Sequence, residues 1–400
     1  MSAGYTAVAM RFASDLNLHV PVARAGEFRP LVLGQLEVWP PVVLAPMAGV
    51  TNYPFRQLCR AFGAGLYVSE MITARGLVAG NAMTELLASG APDERPRSVQ
   101  LYGSDPVAIA EATRRLATEG IDHIDLNFGC PAPKITRHGG GSAIPVKPRL
   151  MARLVRAAVR GAAPVPVTVK VRKGIDDALL TYRDAGRVAE DEGAAAIGLH
   201  ARTAAQLYAG AADWSAIAAL KTNVGIPVLG NGDVWECWDA LRMMRETGCD
   251  GVIVGRGCLR RPWLFAELAA VFDGREPEPQ PSLGAIVAIM RRHADGLMAF
   301  FGPVRGIQQM RKWCLWYTSG FRGAAQLRAY LLRIESLPDM LALLARLDPD
   351  EPFPLDALRR SRSKDARRQE VRLPHGYLAR RDDDVPPAVD PAWDAALAGG

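Results

Sequence analysis

Short apolar, β-branched runs recur along the chain, and each stops abruptly at glycine, proline or a polar residue. Eight stand out, over residues 42–49, 66–71, 98–103, 123–130, 167–174, 196–203, 227–233 and 251–257. Between several of them lie stretches with helical period, such as PVAIAEATRRLATEG (106–120) and LTYRDAGRVAEDEG (180–193). Strand and helix alternating in this way imply a parallel sheet. Eight repeats imply a closed (β/α)8 barrel of the α/β class.

Alternation within the strands sharpens this expectation. In VTVKVR, residues Val167, Val169 and Val171 share one face, and Thr168, Lys170 and Arg172 share the other. The apolar face should meet the outer helices, which sends the polar face into the barrel. The same rule turns Gln100 inward on the third strand, Asp125 and Asn127 on the fourth, and His200 and Arg202 on the sixth. Barrel interiors are normally filled with branched apolar side chains, and barrel enzymes carry their sites at the strands' C-terminal ends. Polar groups converging at the ends of at least four strands therefore predict a site there.

The strand–helix rhythm ends near residue 265. GREPEPQP (274–281) reads as a linker. Four helical patterns follow, between 282 and about 347, and suggest a small bundle. The expected organisation is an N-terminal extension over 1–30, a barrel over 31–273 and a helical domain over 282–350. A tail over 356–400, basic and then acidic and proline-rich, is expected to be largely disordered.

Composition narrows the class. The 400 residues are 49% hydrophobic and 22% charged, ordinary for a globular protein. No apolar run approaches the ~18 residues of a membrane span, and the first residues lack the features of a signal peptide, so a cytoplasmic location is expected. The six cysteines form no CxxC pair, which indicates neither a disulfide framework nor a zinc site. The net charge of +6 is unevenly spread: between Arg359 and Arg381, nine Lys or Arg face two acids, Asp365 and Glu370. Such a run suits a polyanion or a solvated tail, and charge alone leaves both open.

NGD (231–233) and GRG (255–257) follow the seventh and eighth strands, where barrels commonly bind phosphate. No GxGxxG opens a βαβ unit, so a separate dinucleotide domain is not expected. HGGGS (138–142) reads as a mobile loop over the site. Lys170 suits either a Schiff base or a positive charge beside an electron-rich ring. His200, at a strand end beside Arg202, is read as functional rather than as a satisfied interior histidine. Cys130 sits on a turn between Gly129 and Pro131. A thiol there is a nucleophile only if activated, but with an ordinary pKa of roughly 8.5 it donates a proton as it stands.

These residues together resemble the flavin-dependent tRNA-dihydrouridine synthases, in their bacterial branch. The resemblance covers about residues 38 to 335. It rests on APMAGVTNYPFR (45–56), SEM (69–71), QLYG (100–103), DLNFGCPAPKITRHGGGSA (125–143), VKVRKG (169–174), LHART (199–203), NGD and GRGCLRRPWLF (255–265), in that order. It implies that FMN, reduced by NADPH, transfers hydride to C6 of a uracil in tRNA while an acid protonates C5. Cys130 matches the family's proton donor. Pro46, Met47 and Ala48 match the segment under the flavin ring; Gln100, Lys170 and His200 match positions around it. Asn231, Gly232, Asp233, Gly255 and Arg256 match the ribityl and phosphate site. Asn127, Arg172 and Arg202 are assigned to the substrate side, as are Lys134 and Arg137 beside the mouth and Arg305, Arg311 and Lys312 of the helical domain. Trp313, Trp316 and Tyr317 are read as bundle core. Asn52 departs from the family's usual Asp. A monomer is expected, with no membrane partner.

Besides a Schiff-base aldolase acting through Lys170, two rivals stand beside this reading. One is an FMN barrel oxidoreductase of a free small molecule, against which the helical domain and basic tail argue. The other is an RNA-binding protein with an idle barrel, which would not need NGD, GRG, Lys170 and Cys130 intact.

Overall fold

The computed structural model describes residues 13–63, 65–91, 94–359 and 367–387. A short antiparallel hairpin, β1 (Leu31–Leu33) and β2 (Leu36–Val38), precedes eight parallel strands. These are β3 (Val42–Leu44), β4 (Leu66–Thr73), β5 (Ser98–Tyr102), β6 (His123–Phe128), β7 (Val167–Arg172), β8 (Ala196–His200), β9 (Val228–Asn231) and β10 (Gly251–Val254). They close into a barrel in sequence order, with β10 pairing β3. The (β/α)8 expectation is met.

Alternation along the strands sets what faces where. Val167, Val169 and Val171 are 2% exposed or less and join Ile124, Leu126, Ile197 and Leu199 in the core beneath the outer helices. The inward positions differ between the barrel's two ends. At the floor, Leu31, Leu33 and Val38 of the hairpin pack against Val43, Leu66, Ala196, Leu229 and Ile253. The hairpin thus plugs the end opposite the site with apolar side chains, and above this plug the interior turns polar.

Four helices follow the linker: Leu283–Phe301, Pro303–Tyr317, Ala324–Leu331 and Leu337–Leu344. The bundle docks on the helix that follows β3, Tyr53–Arg60. Phe55 there is fully buried, with its ring centroid 4.5 Å from that of Trp313. Asn52 caps this helix by accepting from Phe55 N at 3.2 Å, a role that Asn fills as well as Asp. Trp313 and Tyr317 are bundle core, at 0% and 1% exposure.

The tail departs from expectation. Residues 360–366 and 388–400 lie outside the described residues, but 367–387 pack on the barrel. Tyr377 is 3% exposed and joins Ala143, Val146 and Ile175 in a cluster flanked by Val371 and Leu373. Three apolar anchors within a charged segment are enough to seat it. At the other end of the chain, Asn17 is fully buried and donates to Asp239 Oδ1 at 3.0 Å, so part of the N-terminal extension also belongs to the fold.

Leu33 is fully buried in the floor plug. Leu33→Ala should cost roughly 2–5 kcal/mol of stability, read as a lowered denaturation midpoint. An unchanged midpoint would show that the hairpin is not part of the cooperative core.

Candidate functional site

A cavity of about 440 Å3 opens at the C-terminal ends of the strands, within the range of small-molecule sites. Its walls include Pro46, Met47, Ala48, Gln100, Asn127, Cys130, Lys170, Arg172, His200, Asn231, Gly232, Asp233, Gly255 and Arg256. Strand register explains the convergence: Gln100 pairs with Asp125, Asn127 with Lys170, Arg172 with His200, and His200 with Asn231.

Beneath the cavity runs one continuous hydrogen-bond relay. Thr168 Oγ1 donates to Asp125 Oδ1 at 2.6 Å, so it must accept from His123 Nε2 at 3.0 Å. His123 Nδ1 is then the acceptor for Ser98 Oγ at 2.7 Å. Burial holds this imidazole neutral by lowering its pKa to about 3. From the other side Gln100 Nε2 donates to Asp125 Oδ2 at 2.6 Å, and Asn127 Nδ2 donates to Gln100 Oε1 at 2.9 Å. Asn127 Oδ1 in turn accepts the backbone N–H groups of Gly129 and Cys130, at 3.1 and 2.8 Å. The relay therefore ends by fixing the turn that carries the thiol. Burial raises the Asp125 carboxyl to about 6, opposed by its bonds to Thr168 and Gln100 and by the Lys170 charge.

Cys130 is half-buried, whereas the other five cysteines are buried. Burial pushes its thiol above the ordinary cysteine range, while the Ala132 N–H and the charges of Arg172 and Lys134 pull the other way. The burial effect dominates, and the thiol keeps its proton at neutral pH. Its turn is packed rather than loose: Ser142 N donates to Cys130 O at 3.0 Å. Gly141 has φ +54, and a Cβ there would stand 2.4 Å from Cys130 O. The glycines of HGGGS thus permit close backbone approach, which corrects their reading as a mobile loop.

Lys170 Nζ donates to Asn231 Oδ1 at 2.9 Å, and Asn231 Nδ2 to Ile253 O at 2.8 Å. Gly198 beside it leaves room for Ile253, since a Cβ there would lie 2.7 Å from Ile253 Cδ1, while its 3.5 Å to Lys170 Cγ is ordinary contact. Burial, then Arg172, lower Lys170 to about 8. Burial lowers Arg172 to about 10, so it remains a cation. Burial and the cations Arg172, Lys170, Arg202 and Arg256 hold His200 neutral.

Residues 43–349 match the family described as "Dihydrouridine synthase (Dus)". The chain belongs to the dihydrouridine synthase family. It is 50% identical over 372 residues to a probable tRNA-dihydrouridine synthase of Mycobacterium tuberculosis, covering 90% of this chain and 95% of the relative. It is 40% identical to a probable tRNA-dihydrouridine synthase of Rhodobacter capsulatus, over 78% of this chain and 96% of that one. It is also 40% identical to tRNA-dihydrouridine synthase B of Xanthomonas axonopodis, over 78% of this chain and 93% of that one.

Several cations assigned to substrate from sequence sit elsewhere. Arg202 is 2% exposed and does not line the cavity; its Nη2 pairs with both oxygens of Asp233 at 2.8 Å. Asp233, at φ 58, also accepts from Ala212 N at 2.7 Å, so its carboxylate organises the loop rather than facing an anion. Arg172 lines the cavity, but it also clamps Gly129 O at 3.1 Å, Thr203 O at 2.9 Å and Leu207 O at 2.8 Å. Arg311 donates to Ile334 O at 3.0 Å inside the bundle, and Lys312 donates to Gly49 O, joining bundle to barrel. Lys134, Arg137 and Arg305 are exposed. The first two are within seven residues of Cys130, beside the mouth.

The sequence reading missed Tyr208, Trp235 and Gln369, all of which line the cavity. Arg256 Cζ lies 4.3 Å from the Tyr208 ring centroid and 4.9 Å from that of Trp235. Two aromatics near NGD and LHART were the available signal. Gln369 had none.

Iodoacetamide labelling of Cys130, followed by mass spectrometry, should be slow at about pH 7 and keep rising beyond about pH 9, because the thiolate is the reactive form. A plateau below about pH 8 would contradict the raised pKa.

Proposed function

We propose that this protein reduces uridines in tRNA to 5,6-dihydrouridine, with FMN held in the barrel mouth, NADPH as reductant and Cys130 as the acid. The observation that carries the reading is the meeting, in one cavity, of a protonated, half-buried thiol with a half-buried lysine and an arginine-flanked glycine cradle.

The residues fit a flavin mononucleotide. At the anion end, Gly232 has φ +127, and a Cβ there would stand 2.7 Å from Ala212 Cβ, so the position takes only bare backbone. Behind the wall, Arg202 Nη1 is buried without a hydrogen-bond partner, and its charge favours an anion in the adjoining cavity. Arg256 adds a second cation, and Gly255 keeps the backbone bare. At the ring end, Lys170 supplies a positive charge, and Pro46, Met47 and Ala48 supply a wall. When bound and reduced, the flavin supplies the hydride for C6 of the uracil.

The chain's own residues do the rest. Cys130 Sγ holds the proton that C5 requires, and the relay ending at Asn127 fixes its turn. Arg172 ties that turn to the loop after β8 through Gly129 O, Thr203 O and Leu207 O. The base must leave its stack to enter a mouth of this size. Exposed Lys134 and Arg137 suit backbone phosphates, which position an RNA without reading it. The protein acts as a monomer, presenting one face to the RNA.

Purified protein with NADPH and unmodified tRNA transcript should yield dihydrouridine, measured by mass spectrometry after nuclease digestion. Cys130→Ala should lose roughly 10²–10⁴-fold in rate while retaining flavin and tRNA binding. Equal product from the variant would remove Cys130 as the acid. No product from wild type, on transcript or on otherwise modified tRNA, would overturn the reading. Arg256→Ala should weaken FMN retention by about tenfold or more, the scale of a lost charge-assisted hydrogen bond; full retention of flavin through desalting would exclude Arg256 from the anion site.

A further inference from the structure

The strap formed by residues 367–387 lies beyond the family match, which ends at 349. It is seated chiefly on the segment that follows the Cys130 turn. Tyr377 OH donates to Ala143 O at 3.2 Å, and Lys147 Nζ lies 4.8 Å from the centre of the Tyr377 ring. Lys147 also pairs with Asp383, and Arg153 with Asp384 at 3.2 Å. At Gly139, a Cβ would stand 2.3 Å from Pro387 Cγ, so the strap's end packs on the glycine turn.

This seating delivers Gln369 to the cavity. Its backbone N donates to Ala205 O at 2.9 Å. Its Nε2 donates to Pro131 O at 2.8 Å and to Ala204 O at 3.1 Å. Pro131 follows Cys130 directly, and Ala204 lies on the loop after β8. The side chain thus bridges the two loops that flank the mouth. Two carbonyls facing Nε2 also fix which way the amide points. Both amide hydrogens are occupied, so what the side chain has left for an occupant of the cavity is its carbonyl oxygen. Among the described residues nothing donates to it.

The amide and carboxylate oxygens of four other wall residues already accept hydrogen bonds. Asn127 Oδ1 accepts from Gly129 and Cys130, Gln100 Oε1 from Asn127, Asn231 Oδ1 from Lys170, and Asp233 from Arg202 and Ala212. The remaining charged groups, Lys170, Arg172 and Arg256, are donors. None of the three accepts the single N–H donor of a uracil, N3–H, which leaves Gln369 Oε1, the Tyr208 hydroxyl and the neutral His200 ring as the acceptors in the wall, and of these Gln369 is the one tied to the Cys130 turn.

We propose that Gln369 is a positioning and specificity residue of this pocket: Nε2 holds the Cys130 turn against the loop after β8, and Oε1 accepts the N3–H of the substrate uracil. The proposal rests on the tRNA-uridine reading and adds a residue from outside the family match to it.

The test uses full-length holoenzyme and two variants, with anaerobic stopped-flow reoxidation of reduced flavin by tRNA transcript. Gln369→Leu, of similar size, removes donors and acceptor together. Reoxidation should fall about tenfold while the tRNA dissociation constant stays within about twofold, and Cys130 alkylation should accelerate as its turn loosens. Gln369→Glu removes the donors only while ionised. Its rate relative to wild type should recover as pH falls and the carboxyl again donates, a pH profile that a side chain with no donor role at Pro131 and Ala204 would not produce. Wild-type reoxidation rates in Gln369→Leu, beside an active wild type, would overturn this inference alone. A wild type that reduces no tRNA uridine would overturn the tRNA reading and, with it, the role of Oε1.

Discussion

The buried carboxylate of Asp125 is the point on which the site depends. In a buried interior an unmade hydrogen bond costs more than a made one contributes. Asp125 answers this by receiving donors from two directions, Thr168 on β7 and Gln100 on β5. Each of those is oriented in turn by a neighbour, His123 and Asn127. Because every member has a defined donor and acceptor, the network has one arrangement rather than several. Its outer end is the backbone of Cys130. The position of a reactive atom at the mouth is thus set by a carboxylate deep in the barrel.

The same burial shapes the electrostatics above it. Lys170, Arg172 and Arg256 line one cavity, with Arg202 just behind it. Asp233 is the acid in the wall, and it is paired with Arg202. Desolvation lowers Lys170 to about 8 and Arg172 to about 10, yet both stay cationic at neutral pH. A cluster of this sign in a low-dielectric cleft favours an anionic or electron-rich occupant. It also keeps His200 neutral, so the ring acts there as a polar wall and not as another charge.

Much of this was legible because strand alternation is a local rule. Period two alone turned Gln100, Asp125, Asn127, Lys170 and His200 inward, and the strand ends located the mouth. What alternation lacks is the identity of a partner distant in sequence. Arg202 and Asp233 are 31 residues apart, and Lys312 meets Gly49 across 263. A cation in a motif looks free until its partner is seen: Arg202, Arg311 and Lys312, assigned to substrate from sequence, each hold an oxygen of the chain itself. Composition misled in the tail for a related reason. Charge density argued against a core, but three anchors, Val371, Leu373 and Tyr377, needed only an existing surface to pack on.

That surface is the segment carrying the thiol, and this changes how the site is put together. The barrel contributes the reactive groups, and its floor is closed by the hairpin of residues 31–38. The helical bundle is tied to the loop after β3 by Lys312 at Gly49, one residue beyond Ala48 of the cavity wall. The strap reaches the opposite side, at Pro131 and Ala204. The two segments C-terminal to the barrel therefore grip its mouth from different loops, leaving Cys130 between fixed neighbours. The proton-donor role proposed for Cys130 would gain from such restraint, since misplacement by an ångström at the reacting atom is enough to cost orders of magnitude in rate. The thiol's turn is held by Asn127 from below, by Arg172 from the side and by Gln369 from above the chain's own family core. Of these three holds, the last is contributed by sequence that the barrel fold alone does not require.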